Sequence, residues 1–142
     1  MQVKEVMSRR IIAISPEESV AVAARLLSQH NIGALPVCSR DGRLRGMVTD
    51  RDIVVRCVAA GDDPERTRVA EIMTRRVLAA EPDRSVDEAA RLMAREQVRR
   101  LPVQERGRLV GMVSLGDVAV RPDYTMEAGE ALQEISQNIR RV

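Results

Sequence analysis

The stretch V-K-E-V-M-S-R-R, Val3 to Arg10, returns 66 residues later as V-A-E-I-M-T-R-R, Val69 to Arg76. The same offset aligns Pro16 with Pro82, Ser19 with Ser85, Val20 with Val86, Ala23 with Ala89 and Leu26 with Leu92. It also aligns the triplet Leu35-Pro36-Val37 with Leu101-Pro102-Val103. It then drops to 65, because S-R-D-G-R-L-R-G-M-V-T shortens to E-R-G-R-L-V-G-M-V-S. Met47 therefore pairs with Met112, Thr49 with Ser114 and Asp52 with Asp117. Self-similarity at a fixed period is the signature of a repeated structural unit. The single deletion falls in a turn, where a lost residue does least harm. The chain is two copies of one unit.

Each copy reads alike. After the M-[ST]-R-R turn, Ile11 to Ile14 (Val77 to Ala80) is predicted as a short apolar strand, and Pro16 or Pro82 punctuates the turn after it. Ser19 is placed to cap a helix whose apolar residues Val20, Ala23, Ala24 and Leu27 follow the helical period. Ser85 with Glu88 three residues on forms a capping-box pattern in the second copy. The L-P-V strand follows, then a turn at Asp41-Gly42 or Arg106-Gly107, then a second strand, Leu44 to Val48 or Leu109 to Val113. A last helix starts at T-D-R-D-I-V-V or S-L-G-D-V-A-V. The expected fold class is α+β, with β-α-β-β-α written twice.

The divisions are residues 1–60 for the first repeat, 61–68 for a polar linker, 69–122 for the second repeat and 123–142 for a tail. In the tail, Ala128, Leu132, Ile135 and Ile139 make one apolar stripe, which predicts an amphipathic helix from Thr125 to Arg140. Two readings of that helix stand: it docks on its own module, or it helps form a dimer.

The 142 residues include no Phe or Trp, one Tyr (Tyr124), one His (His30), one Lys (Lys4) and two Cys (Cys38, Cys57). A Ser-His-Asp or Cys-His mechanism would have to run through His30 alone, which ends the first helix, where a cation suits the helix dipole. A three-His metal site cannot be built, and Lys4 is badly placed for a phosphate loop or Schiff base. Single-stranded nucleic acid is held by several exposed rings, which this chain lacks. The net charge of +2, with both signs interleaved, leaves no footprint for DNA or a membrane surface. No apolar run is long enough to span a membrane or to serve as a signal peptide. These observations predict a cytoplasmic protein with no catalytic residue, metal or cofactor. Its cysteines read by default as partly buried thiols, with a redox or intermolecular disulfide as the other reading. Met47, Met93 and Met112 read as core filling.

Two copies ending in G-[MIV]-[VL]-[ST]-x-x-D-[IVL], with both M-[ST] segments and both L-P-V strands in order, resemble a tandem pair of cystathionine-β-synthase (CBS) domains, a Bateman module. The resemblance covers residues 3 to 120 and extends to small stand-alone bacterial CBS-pair proteins. It implies two repeats packed with pseudo-twofold symmetry around two clefts, a homodimer, and an adenosine compound such as AMP, ADP, ATP or S-adenosylmethionine as ligand. An unidentified protein partner is compatible with such a module. Nucleic acid and membrane are not expected partners.

Asp52 and Asp117 each follow a hydroxyl residue by three, at a strand-to-helix junction. A carboxylate there can accept both hydrogen bonds of a ribose diol, while the hydroxyl and helix amides can take phosphate oxygens. The same spacing also serves a capping box, in which the Asp only supports its own helix. By the resemblance, one cleft gathers Ser8, Ile12, Ala13, Ile32, Gly33 and Ala34 with Arg99, Arg100, Ser114 and Asp117. The other gathers Thr74, Leu78, Ala79 and Val98 with Thr49, Arg51 and Asp52. Arg51 can reach a phosphate in the second, although Asp50 beside it would repel one. Arg99 and Arg100 either reach a phosphate through bidentate geometry or remain a solvated surface pair. The Asp117 cleft ranks first, because it combines Gly33, which leaves room for a base, with arginine. The function expected is that of a non-enzymatic regulatory module that signals by conformational change. The alternative is a structural or protein-interaction dimer module with empty or degenerate clefts.

Overall fold

The computed structural model describes residues 1–119 and 125–137. In chain order the helices and strands are α1 (Val3–Val6), α2 (Val20–His30), β1 (Ala34–Cys38), β2 (Leu44–Thr49), α3 (Asp50–Ile53), α4 (Val69–Ile72), α5 (Val86–Glu96), β3 (Arg100–Glu105), β4 (Arg108–Ser114), α6 (Leu115–Ala119) and α7 (Thr125–Gln137). The α+β class is as expected, with two antiparallel two-stranded sheets, β1-β2 and β3-β4. Tyr124, and Ile139 and Arg140 of the expected tail helix, lie outside the described residues.

The local signals act as the sequence indicates. Ser19 Oγ accepts the Val22 N–H at 3.2 Å and Ser85 Oγ accepts the Glu88 N–H at 3.1 Å, each satisfying an orphan amide of the first turn. Both helices stop on a residue with left-handed backbone, Asn31 (φ 52°) and Gln97 (φ 58°). Arg106 (φ 54°) and Gly107 (φ 81°) both have positive φ, as a two-residue hairpin turn requires. β1 pairs with β2 through Leu35–Val48 and Pro36–Met47, with a bulge between Val37 and Cys38.

Two expectations change. The leading strands shrink to single bridges, Ile14 parallel to Val37 and Ala80 parallel to Val103. Pro16 and Pro82 follow two residues later, lack an N–H and turn the chain away before a ladder can extend. The last helix of the first copy widens after α3 into a π-helical segment, Val54–Val58.

The chain folds as two compact units that do not coincide with the repeats. The N-terminal unit is Ile12–Val77 with Gly107–Leu109; the C-terminal unit is Met1–Ile11, Leu78–Arg106 and the chain from Val110 onward. Each contains the lead-in segment of the other repeat. In the N-terminal unit, Val69, Ile72 and Met73 join Val20, Leu27, Leu35, Val37, Val48 and Cys57 in one buried cluster. In the C-terminal unit, Val3 and Val6 join Val86, Met93, Leu101, Val103, Val113 and Val118. With no large ring available, branched aliphatics and methionine make both cores. α7 packs on α5 and α6 of its own unit. Its buried residues are Ala128, Ala131 and Ile135, whereas Leu132, placed on the apolar stripe by sequence, is 42% exposed.

Candidate functional site

The hydroxyl–carboxylate pairs stand at the β2–α3 and β4–α6 junctions, one in each unit. In the N-terminal unit the Asp52 N–H donates to Thr49 Oγ1 at 3.0 Å, and the Thr49 N–H donates to Asp52 Oδ2 at 3.0 Å. In the C-terminal unit the Asp117 N–H donates to Ser114 Oγ at 3.1 Å, and the Ser114 N–H donates to Asp117 Oδ2 at 3.0 Å. Both are reciprocal capping boxes. The capping reading of the T-x-x-D spacing therefore holds in both copies, and it leaves the second oxygen of each carboxylate to be accounted for.

The two copies then diverge. Thr74 Oγ1 donates to both Asp52 oxygens at 3.3 Å. Arg56 Nε lies 3.8 Å from Asp52 Oδ1, and its Nη1 reaches the carbonyls of Met73 (3.4 Å) and Ile72 (3.5 Å). Asp52 is buried and fully engaged. At the matching place in the C-terminal unit, Ser8 Oγ turns to its own backbone, accepting the Arg10 N–H at 3.2 Å. The carboxylate of Asp52 is closed by protein, whereas among the described residues Asp117 Oδ1 meets no donor; Arg121, which follows Asp117 by four as Arg56 follows Asp52, lies outside them.

The backbone explains why a hydroxyl residue of the other repeat arrives at each junction. Thr74 exchanges hydrogen bonds with Met47 (2.8 and 3.0 Å), and Ser8 exchanges them with Met112 (2.7 and 2.9 Å). Each lead-in segment thus adds one bridge to the outer edge of β2 or β4, beside the glycine of G-M-V. A Cβ on Gly46 would lie 2.3 Å from Thr74 O, and one on Gly111 would lie 2.9 Å from Ser8 O. Only glycine lets the two backbones meet.

The remaining predicted residues divide between the units. Of the Asp117 set, Ser8, Arg99, Arg100 and Ser114 share the C-terminal unit with Asp117, while Ile12, Ala13, Ile32, Gly33 and Ala34 belong to the N-terminal unit. Of the Asp52 set, Thr49, Arg51 and Thr74 share the N-terminal unit with Asp52, while Leu78, Ala79 and Val98 belong to the other. Arg51, Arg99 and Arg100 are exposed, and Ile12, Ile32, Leu78, Ala79 and Val98 are half-buried. Gly33 is less empty than its residue type suggests: Asp50 Oδ2 lies 3.4 Å from where its Cβ would be, and Gly33 O accepts the Asp50 N–H at 3.0 Å.

Sequence reasoning missed Arg56 and this use of Asp50. The signal for Arg56 was its spacing, since a basic residue four after Asp52 on one helical face is placed to pair with it. Cys57 is buried at the core, and burial pushes the Cys38 thiol up, away from a poised thiolate.

A carboxylate box repeated at two strand-to-helix junctions of a β-α-β-β-α scaffold defines a CBS-type module. The chain belongs to the CBS domain family, which matches residues 3–58 and 69–124. The CBS domain-containing protein YhcV of Bacillus subtilis is 44% identical over 138 residues, 96% of this chain and 97% of that protein. Hypoxic response protein 1 of Mycobacterium tuberculosis is 38% identical over 116 residues, 82% of this chain and 81% of that protein. A crystal structure of Hypoxic Response Protein I with two coordinated zinc ions matches with a TM-score of 0.79 at 36% identity, over 85% of this chain and 98% of that one. The CBS domain pair of MJ0100, in complex with 5'-methylthioadenosine and S-adenosyl-L-methionine, matches with a TM-score of 0.73 at 32% identity, over 84% and 94%. Among the described residues of this chain no three His, Cys, Asp or Glu side chains gather as a metal site, and no helix is long and apolar enough to cross a membrane.

Proposed function

We propose that this chain is a non-enzymatic regulatory module of the cytoplasm that binds one adenosine-containing ligand per chain, at Asp117, and signals as a homodimer through a change in packing. The observation that carries the reading is that Thr74 Oγ1 closes the Asp52 carboxylate, whereas its counterpart Ser8 Oγ bonds within its own segment and leaves Asp117 Oδ1 without a partner among the described residues. A ribose diol presents two donors, and a carboxylate with a free oxygen accepts them without breaking its own helix cap. Arg99 and Arg100, in the same unit, supply the charge for phosphate. By the family resemblance, Ile12, Ala13, Ile32, Gly33 and Ala34 are the residues that would wall the base with flat aliphatic and backbone surface. With no Phe or Trp and a single Tyr in the chain, no aromatic ring of the core is there to sandwich a purine, and affinity rests on the ribose and phosphate contacts, which suits a sensor of an abundant metabolite. The adenosine ligands of the MJ0100 pair support the ligand class. The ligand must bind two states of the module unequally to signal at all.

At Asp52 a second reading is favoured. A ligand there has to displace Thr74 Oγ1 and the Arg56 guanidinium, so this half, with Thr49, Arg51, Leu78, Ala79 and Val98, is structural and its cleft stays empty.

Calorimetry and thermal shift with AMP, ADP, ATP, NAD, 5'-methylthioadenosine and S-adenosylmethionine test the proposal. One site per chain is expected for at least one of them. Asp117→Asn keeps the cap but turns an acceptor into a donor, and weakens that binding by about tenfold or more. Asp52→Asn leaves binding in place and lowers Tm. No response to any compound at millimolar concentration sinks the sensor reading in favour of a module that works through its protein surfaces.

A further inference from the structure

The C-terminal unit holds a cavity of about 460 Å³ on one face of α5. That size is within the ordinary range of small-molecule sites, roughly 300–1,000 Å³. Its floor is apolar, made by Val3, Ala80 and Leu92, and its rim carries Arg84, Arg91 and Arg95 with Glu81 and Glu88. Of the residues that the family pattern implies for ligand binding, only Ala79 lines it.

The first repeat provides an internal control, because the same scaffold bears different residues there. Where Ala80 opens the floor, the first copy has the larger Ile14. Arg84 and Arg95 stand in place of Glu18 and Gln29, and Glu88 in place of Val22. Arg25, the counterpart of Arg91, lies 3.6 Å from Glu65 in an exposed pair, whereas Arg91 has no partner among the described residues. Glu81 lies 3.7 Å from Arg84 at the exposed rim. Arg95 lies 3.7 Å from half-buried Glu96, but its own side chain is largely exposed. A smaller floor residue, added arginines and a guanidinium with no partner among the described residues set this copy apart from the first.

We propose that this cavity is a second ligand site, for a small sugar phosphate. The chemistry of the lining selects that class. Guanidinium groups only donate, and Arg91 and Arg95, one helical turn apart on α5, can grip a phosphate from two sides. Glu88 only accepts, and takes sugar hydroxyls. Ala80, Leu92 and Val3 receive the apolar face of the sugar ring. A bare anion leaves Glu88 and the floor without a partner, and a neutral sugar leaves the arginines without one.

Thermal shift and amide chemical-shift titration of the full chain, at matched ionic strength, separate the cases. The probes are ribose 5-phosphate and glucose 6-phosphate, with inorganic phosphate and free ribose as controls. At least one sugar phosphate is expected to raise Tm more than either control and to move the amides of Ala80, Arg91 and Arg95. The double variant Arg91→Ser/Arg95→Ser, exposed positions that leave the core intact, should weaken it by about tenfold or more. Asp117→Asn should leave it unchanged. An equal response to inorganic phosphate, survival in the arginine variant, loss in Asp117→Asn, or no response at all each overturns the assignment.

Discussion

Gly46 has no room for a methyl group. Its Cβ would stand 2.3 Å from the carbonyl oxygen of Thr74, and what it would meet is backbone, which cannot rotate aside. The cost of Gly46→Ala should reach the top of the range for overpacking, about 3 kcal/mol. At Gly111 the nearest atom is the Sδ of Met7 at 2.8 Å, a flexible thioether, with Ser8 O at 2.9 Å. Gly111→Ala should therefore cost less. Urea denaturation of both variants checks the ranking, and equal midpoints would sink it. At this scale the sequence is informative about which residues matter and silent about why. G-M-V-T and G-M-V-S announce themselves by repetition. The reason for the glycine is a chain segment remote in sequence, and local pattern carries no trace of it. The same holds for Asp52 and Asp117: spacing predicts the capping box for both, but not that Thr74 closes one carboxylate while its counterpart Ser8 bonds within its own segment.

Among the elements, α7 shows how far a hydrophobic stripe can be trusted. Leu132 and Ile135 weigh alike in sequence, yet Ile135 is buried and Leu132 is exposed, with Ala131 taking the inward place. Close approach of α7 to α5 and α6 selects the small side chain, and a hydrophobicity pattern ranks that residue below leucine. Ile135→Ala should cost about 2–5 kcal/mol, as buried large-to-small changes do. Leu132→Ala should stay within about 0.5 kcal/mol of the parent. Thermal or urea unfolding of the two variants reads the difference, and a larger loss at Leu132 would show the helix seated on another face. The hairpins and the paired helices α2 and α5 were legible nearly to the residue, because their turns, caps and periods are local. The π-helical widening at Val54–Val58 was not, since valines that continue an α-helix and valines that widen it look alike.

The whole molecule departs from its own sequence symmetry. By sequence the chain is divided at residue 60, with V-K-E-V-M-S leading the first repeat and V-A-E-I-M-T leading the second. In space each lead-in belongs to the opposite compact unit. The exchange is invisible in the sequence because the two segments are so alike that either would suit either partner. It makes a prediction about autonomy. A fragment of residues 1–66 keeps the first repeat but lacks Val69, Ile72 and Met73, all buried in the N-terminal core, and lacks the Thr74 bridge on the edge of β2. A fragment of residues 12–77 keeps all of these and discards Val3 and Val6, which serve the other core. Losing three buried apolar side chains costs several kcal/mol, a large part of what holds a unit of this size together. Residues 12–77 should therefore unfold cooperatively at a higher urea midpoint than residues 1–66, although the second fragment is the one that the repeat boundary recommends. If residues 1–66 match or exceed that midpoint as a monomer, the lead-in of the first repeat can fold back onto its own unit. If they do so only as concentration rises, one copy is lending its lead-in to another, and the requirement for that segment stands.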